Sequence, residues 1–520
     1  MIASDAPSDI RPAYGAIALL GGVGAFLLLQ LVALQKIGFA FEYPLDDVYI
    51  HLAMASEIAR GGYGVNSGEY ASAASSILYP FLLAPFPDSE SQRFLPLFWN
   101  VVGLVLSCLL WGRIILISGL SGAVAWSLAF VGPIVFGAFS TAFVGMEHTL
   151  HAAASLAIVY GLGLLILRDR VSWVLLAGVF FAPVLRFEGL ALSLLAAGVL
   201  FLLGRRGVSF FALALALIPI AAYSAWLVSL GLDPLPSSIQ AKLTSNANAD
   251  LSFLERRIGT FGVNVGKLGG LAILLMVLGA LLMRATVPAL KDNRLGLLVL
   301  VVVAAGLGHL FLGQIGWLER YEHYALFALA GALVLLAGQA GSMSPVVILA
   351  LAAPMVVAGW SYLQNSWSAY QWSPQGIHNQ QGQMARFAQD YAEENVAVND
   401  LGRVVWGNPN YVLDLWGLAN AEARRIRIFA PVPAWAGPLA RDRDVVLIMI
   451  YEEWLEEAID PSWIRLGKLQ LRLPRGFLGG REVVFFARSA EDVPELVEKL
   501  KAFQPTMNPD TRFHFEETFR

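Results

Sequence analysis

The chain has 520 residues, of which 57% are hydrophobic and 14% charged, with a mean hydropathy of +0.62. A soluble chain is about 25% charged, so this composition excludes a soluble enzyme and a disordered chain. The formal net charge of −4 excludes a basic, polyanion-binding surface, and a single cysteine, Cys108, excludes an internal disulfide, a four-cysteine zinc site and a Cys-x-x-Cys redox pair.

Charge divides the sequence. Residues 1–362 hold 36 charged side chains and residues 363–520 hold 38. The expected fold class is therefore a polytopic α-helical membrane domain (1–362) followed by a small periplasmic α/β domain (363–520). A crossing needs about 20 apolar residues. Eleven candidates follow in order, roughly 15–36, 94–112, 122–140, 148–167, 171–185, 189–203, 208–230, 268–283, 295–313, 324–340 and 345–362. The first reads as an uncleaved anchor.

With the N-terminus inside, the inner loops collect Arg113, Arg168, Arg170, Arg205, Arg206, Arg284, Lys291 and Arg294. Arg60, Arg93, Arg256 and Arg257 fall on the opposite side and weaken that asymmetry. An odd number of crossings places the C-terminal domain outside. Its Trp/Tyr/Gln-rich start, 365–383, reads as a membrane interface and linker. A helix over 380–394 and strands near 396–400, 411–418, 444–450 and 482–487 then predict a small α/β sheet.

The first outer loop, 37–93, contains Asp46-Asp47-Val48-Tyr49-Ile50-His51. Residues 47–59 have helical apolar spacing, which predicts a helix lying along the membrane surface. Asp46 and Asp47 at its start read either as caps or as a general base whose proton affinity is raised by desolvation. Four more polar clusters fall at the outer ends of spans: Gly145 to His148, Arg186 to Gly189, Pro236 to Lys242 and Glu319 to Tyr324. Each could be an anchor or a satisfied ion pair. All share one side, however, and Lys242, Arg186 and Arg320 suit a phosphate. There is no phosphate-binding glycine loop and no His/Cys cluster. No cofactor is required by the pattern, and a divalent ion at Asp46 and Asp47 is left open.

In order, these motifs resemble those of the C-type glycosyltransferase superfamily, and particularly the mycobacterial terminal arabinofuranosyltransferases. The matching elements are Asp46-Asp47-x-Tyr49-Ile50, Ala59-x-Gly61-x-x-Gly64, Asn66-x-Gly68-Glu69, the Ser-rich entry Ser72 to Leu83, Gly145-Met146-Glu147, Arg186-x-Glu188-Gly189, Pro236 to Lys242, Asn399-Asp400-x-Gly402 and Asp414-Leu-x-Gly417-Leu418. His148 departs from the family pattern, and nothing after residue 420 matches it. The resemblance implies an inverting transferase with Asp46 or Asp47 as base, Asp46 being favoured by analogy. The donor would be a polyprenyl-phosphate sugar, bound among Tyr49, Glu147, Arg186, Glu188, Lys242, Arg320 and His323. The acceptor would be a cell-envelope glycan or glycolipid, and the site would face outward from a bacterial inner membrane. The rival readings are a transporter or flippase of a lipid-linked sugar, and a non-catalytic glycan-binding protein. No half-to-half likeness supports the transporter.

Overall fold

A computed structural model describes residues 13–244, 252–429 and 431–519, without the side chains of 241–244. Eight of its helices are long and apolar enough to cross a membrane, which makes the chain a multi-pass membrane protein. Three further apolar helices, Trp173–Leu185, Gly189–Leu202 and His323–Gly338, are shorter. All eleven predicted spans thus coincide with helices, although three fall below the spanning length.

The bundle is layered by sequence. Helix His148–Arg168 is buried on nearly every side and forms its centre. Helix Tyr14–Lys36 lies at the periphery. It turns Ala18, Gly22, Phe26, Leu29 and Ala33 inward and leaves Leu20, Leu27, Leu28 and Leu31 exposed, as a lipid-facing helix would.

Helix Pro345–Asn379 runs from the bundle directly into the C-terminal domain. The expected linker at 365–383 is therefore mostly helix. Ser366, Ala369, Tyr370, Ser373, Pro374 and Ile377 bury one stripe at three- and four-residue spacing, so the helical pattern continues after the hydropathy falls. Helix Gln381–Phe387 and a single wide turn, Ala388–Ala392, follow it.

The C-terminal domain holds a six-stranded mixed sheet: β1 (Val396–Val398), β2 (Val412–Asp414), β3 (Leu447–Ile450), β4 (Ile464–Leu471), β5 (Glu482–Ala487) and β6 (Thr511–Phe515). Their spatial order is β2-β1-β3-β5-β4-β6. The first three are parallel, and the remaining pairings are antiparallel. Strand alternation separates two cores. Val396, Val398, Leu447 and Met449 join the core continuous with the bundle. Ala397, Ile448 and Ile450 join a second core beneath helices Ala421–Phe429 and Ala436–Asp442.

The helix at Asp47–Ala59 is not a surface helix. Every residue from Val48 to Glu57 is buried. The C-terminal domain closes over it through the short helix Gly402–Val405. A Cβ on Gly402 would stand 2.1 Å from the Asp46 carbonyl oxygen, so this approach requires glycine.

Candidate functional site

The two adjacent aspartates diverge. Asp46 precedes the Asp47–Ala59 helix and turns toward the C-terminal domain. There its carboxylate accepts from the amides of Gly402 (2.6 Å) and Arg403 (2.8 Å). It is 4% exposed. Burial, helped by the charge of Asp47, raises its pKa to about 6 against the pull of these amides. Asp400 lies beside it, half-buried, and desolvation and the charges of Asp46 and Asp47 push its pKa up. Asp46, the acid favoured by analogy, is thus occupied in an interdomain contact.

Asp47 points the other way, into a cavity of about 380 Å³ at the junction of the bundle and the C-terminal domain. Its Oδ2 accepts from Arg320 Nη2 at 2.6 Å. Arg320 follows a strained turn. Gly316 has φ +103°, and Trp317, Leu318 and Glu319 take φ of 52°, 64° and 50° in succession. Non-glycine residues seldom adopt this region, and such runs concentrate where a side chain must be aimed. The Gly316 amide donates to Glu322 Oε2 at 2.8 Å, which braces the turn. Arg320 is 3% exposed, yet its Nε and Nη1 groups have no protein partner.

Arg186 forms the adjoining wall. Its Nη1 donates to Glu147 (2.7 Å) and its Nη2 to Glu188 (2.8 Å). Glu147 also accepts from Ser75 at 2.6 Å and lies 3.7 Å from His51 Nε2. Burial raises the pKa of Glu147, but His51, Arg186 and Ser75 outweigh it and hold the carboxyl below its usual range. Burial lowers that of His51, against the opposing charges of Glu147 and Asp47.

Two predicted site residues lie elsewhere. The Tyr49 hydroxyl donates to Glu42 and accepts from Arg93, and its ring packs against Trp406. It lies two positions after Asp47, which on a helix places it on another face. His323 is fully buried, with Nδ1 on the Phe136 carbonyl at 2.9 Å. The side chain of Lys242 lies outside the described residues. The cavity therefore joins Asp47, Arg186 and Arg320, with Glu147 and Glu188 behind Arg186, and excludes Asp46, Tyr49 and His323.

Sequence reasoning missed His51, Ser75, Gln314, Tyr321, Trp416 and Arg427 among the lining residues. His51 stood four residues from Asp47, the spacing of one helix face. The others come from turns and from the C-terminal domain, where no periodicity points to them. Asp414 organises a strand end, accepting from the amides of Trp416 (2.8 Å) and Ala419 (2.7 Å), and so sets Trp416 over the cavity. Because Asp46 and Asp47 diverge, they do not fit a divalent ion held between them. Among the described residues no three His, Cys, Asp or Glu side chains are grouped to hold a metal.

Residues 371–486 match a family model described as a domain of unknown function (DUF8728). No curated protein matches the sequence. Among solved structures the chain is similar to the Archaeoglobus fulgidus oligosaccharyltransferase in its apo form, at 11% identity and a TM-score of 0.48, over 96% of this chain and 77% of that one. It is also similar to ArnT from Cupriavidus metallidurans bound to undecaprenyl phosphate, at 13% identity and a TM-score of 0.46, over 92% of this chain and 99% of that one.

Proposed function

We propose that the protein is a membrane glycosyltransferase that moves a sugar from a polyprenyl-phosphate donor to a glycan or glycolipid hydroxyl on the exoplasmic face. The observation that carries this reading is Arg320. It is a buried cation that lines the same cavity as Asp47 and bonds its carboxylate through Nη2, while its Nε and Nη1 donors have no protein partner. Buried donors left unpaired are costly, and a phosphate oxygen would satisfy them.

A second feature suits the lipid. An apolar groove of about 340 Å³, lined by helices Gly189–Leu202, Asn293–Leu312 and His323–Gly338, includes Glu188, which pairs with the cavity residue Arg186. It would take the polyprenyl chain, while the phosphate sits at Arg320. The motif order read from the sequence points to the same class of donor.

In this mechanism Asp47 takes the proton of the acceptor hydroxyl. The hydroxyl oxygen bonds to the anomeric carbon as that carbon's bond to the phosphate oxygen breaks. The electron pair leaves with the lipid phosphate, and the configuration inverts. Arg320 stabilises the charge that develops on the leaving group. No nucleotide is needed, because phosphate is an adequate leaving group.

The test is incubation of the purified protein with a polyprenyl-phosphate sugar and a glycan acceptor. Release of free polyprenyl phosphate with glycan extension is the expected result. Translocation of the intact lipid-linked sugar across a vesicle without bond cleavage would instead establish a transporter.

A further inference from the structure

Among the described residues, the bundle side of the cavity carries more negative than positive charge. Asp47 is paired with Arg320, and Arg186 lies between Glu147 and Glu188, so three carboxylates accompany two guanidiniums. Such a wall does not by itself favour the negative charge of a phosphate group.

The balance is restored from the C-terminal domain. Arg427, on helix Ala421–Phe429, lines the opposite side of the same cavity. Its guanidinium lies 3.8 Å from the centroid of the Trp416 ring, and its Nε donates to the Trp416 carbonyl at 3.0 Å. No carboxylate pairs with it among the described residues. Arg424, on the same helix, is by contrast fully engaged, bonding Gly417, Asp233 and Gln240. Arg427 is therefore held by stacking and one backbone bond, which leaves the fork of its terminal nitrogens for a ligand. Stacking fixes the plane of a guanidinium without cancelling its charge, an arrangement suited to bidentate phosphate recognition.

We infer that Arg427 is an anion anchor for the phosphate of the lipid-linked donor, so that the C-terminal domain completes the donor site. This rests on the transferase reading above. A phosphate group could also arrive free or on an acceptor, and the test separates these sources.

The experiment is equilibrium binding of undecaprenyl phosphate, and of the uncharged alcohol undecaprenol, to the full-length protein in detergent. Wild type, R427Q and R427K are compared, with thermal unfolding as a check on folding. R427Q should weaken undecaprenyl phosphate binding about tenfold or more, the worth of a charge-assisted hydrogen bond, and leave undecaprenol binding unchanged. R427K should fall between. Equal binding of undecaprenyl phosphate by wild type and R427Q would overturn the inference, as would equal loss of both lipids. Protection of wild type but not R427Q by inorganic phosphate, with lipid binding unchanged, would overturn the lipid assignment. Failure of the wild type to bind undecaprenyl phosphate would refute the transferase reading itself.

Discussion

Arg320 Nη2 donates to Asp47 Oδ2 at 2.6 Å, closing a link between residues 273 positions apart. It joins the first turn of a buried helix to the residue that follows the left-handed turn Gly316–Glu319. Asp47 is one-third exposed (33%), while the Arg320 side chain is 4% exposed. The pair therefore sits at the rim, with the cation inside and the carboxylate facing the opening. Removing the cation loses both the orientation of Asp47 and the phosphate contact. R320Q should lower kcat/KM about tenfold to a hundredfold, and R320K should recover part of the loss. Steady-state kinetics on the two variants checks this.

Asp46 holds the domain interface. D46A strands the amides of Gly402 and Arg403, each satisfied by that carboxylate. It should destabilise the protein by about 1–3 kcal/mol per stranded amide. The melting temperature in detergent should fall, with turnover per folded molecule largely retained. An unchanged melting temperature would remove Asp46 from the interface.

The neighbouring carboxyls predict a pH dependence of stability. Burial raises the pKa of Asp46 to about 6 and pushes that of Asp400 up as well. A carboxyl whose pKa is higher folded than unfolded binds more protons in the folded state, so stability falls as pH rises through this window. The protein should therefore be more stable near pH 5 than at pH 7.5 as far as these groups are concerned. D400N keeps an acceptor for Gln381, which bonds Asp400 at 2.8 Å, and offers Asp46 a neutral donor. It should add about 1 kcal/mol at pH 7.5, the worth of roughly one pKa unit, and flatten the profile. Melting curves across pH on both proteins check this.

Glu147 is fully buried and accepts from both Ser75 and Arg186. E147A leaves the buried Arg186 with only one carboxylate partner, the partly exposed Glu188. Breaking a buried pair in this way costs about 3–5 kcal/mol. The protein should unfold at markedly lower temperature, and E147Q, which keeps the acceptor oxygen, should lose less. Thermal unfolding of the two variants distinguishes them.

The bundle was legible because each helix is written as an apolar run, and four of the six strands of the C-terminal sheet because they are bounded by Gly, Asn and Pro; β4 and β6 were not read from the sequence. The end of the last long helix was not legible from hydropathy. Residues 363–379 are polar, yet they keep the spacing that buries Tyr370 and Ile377. The acids were visible as a pair, but their opposite directions were not. The amides that claim Asp46 lie more than 350 positions away. Tyr49 and His323 belonged to the right segments but to other faces of their helices. Arg427 had no signal at all, because its place depends on how the C-terminal domain docks.

The central claim is that Asp47, and not Asp46, is the base. The most direct measurement is single-turnover release of polyprenyl phosphate by D47N and by D46N, each saturated with donor and acceptor and normalised to folded protein. The account predicts a loss of about 10²–10⁴-fold for D47N with donor binding retained, and a near-native rate for D46N. A D47N enzyme as fast as wild type, or a D46N enzyme that is folded but inactive, would contradict it.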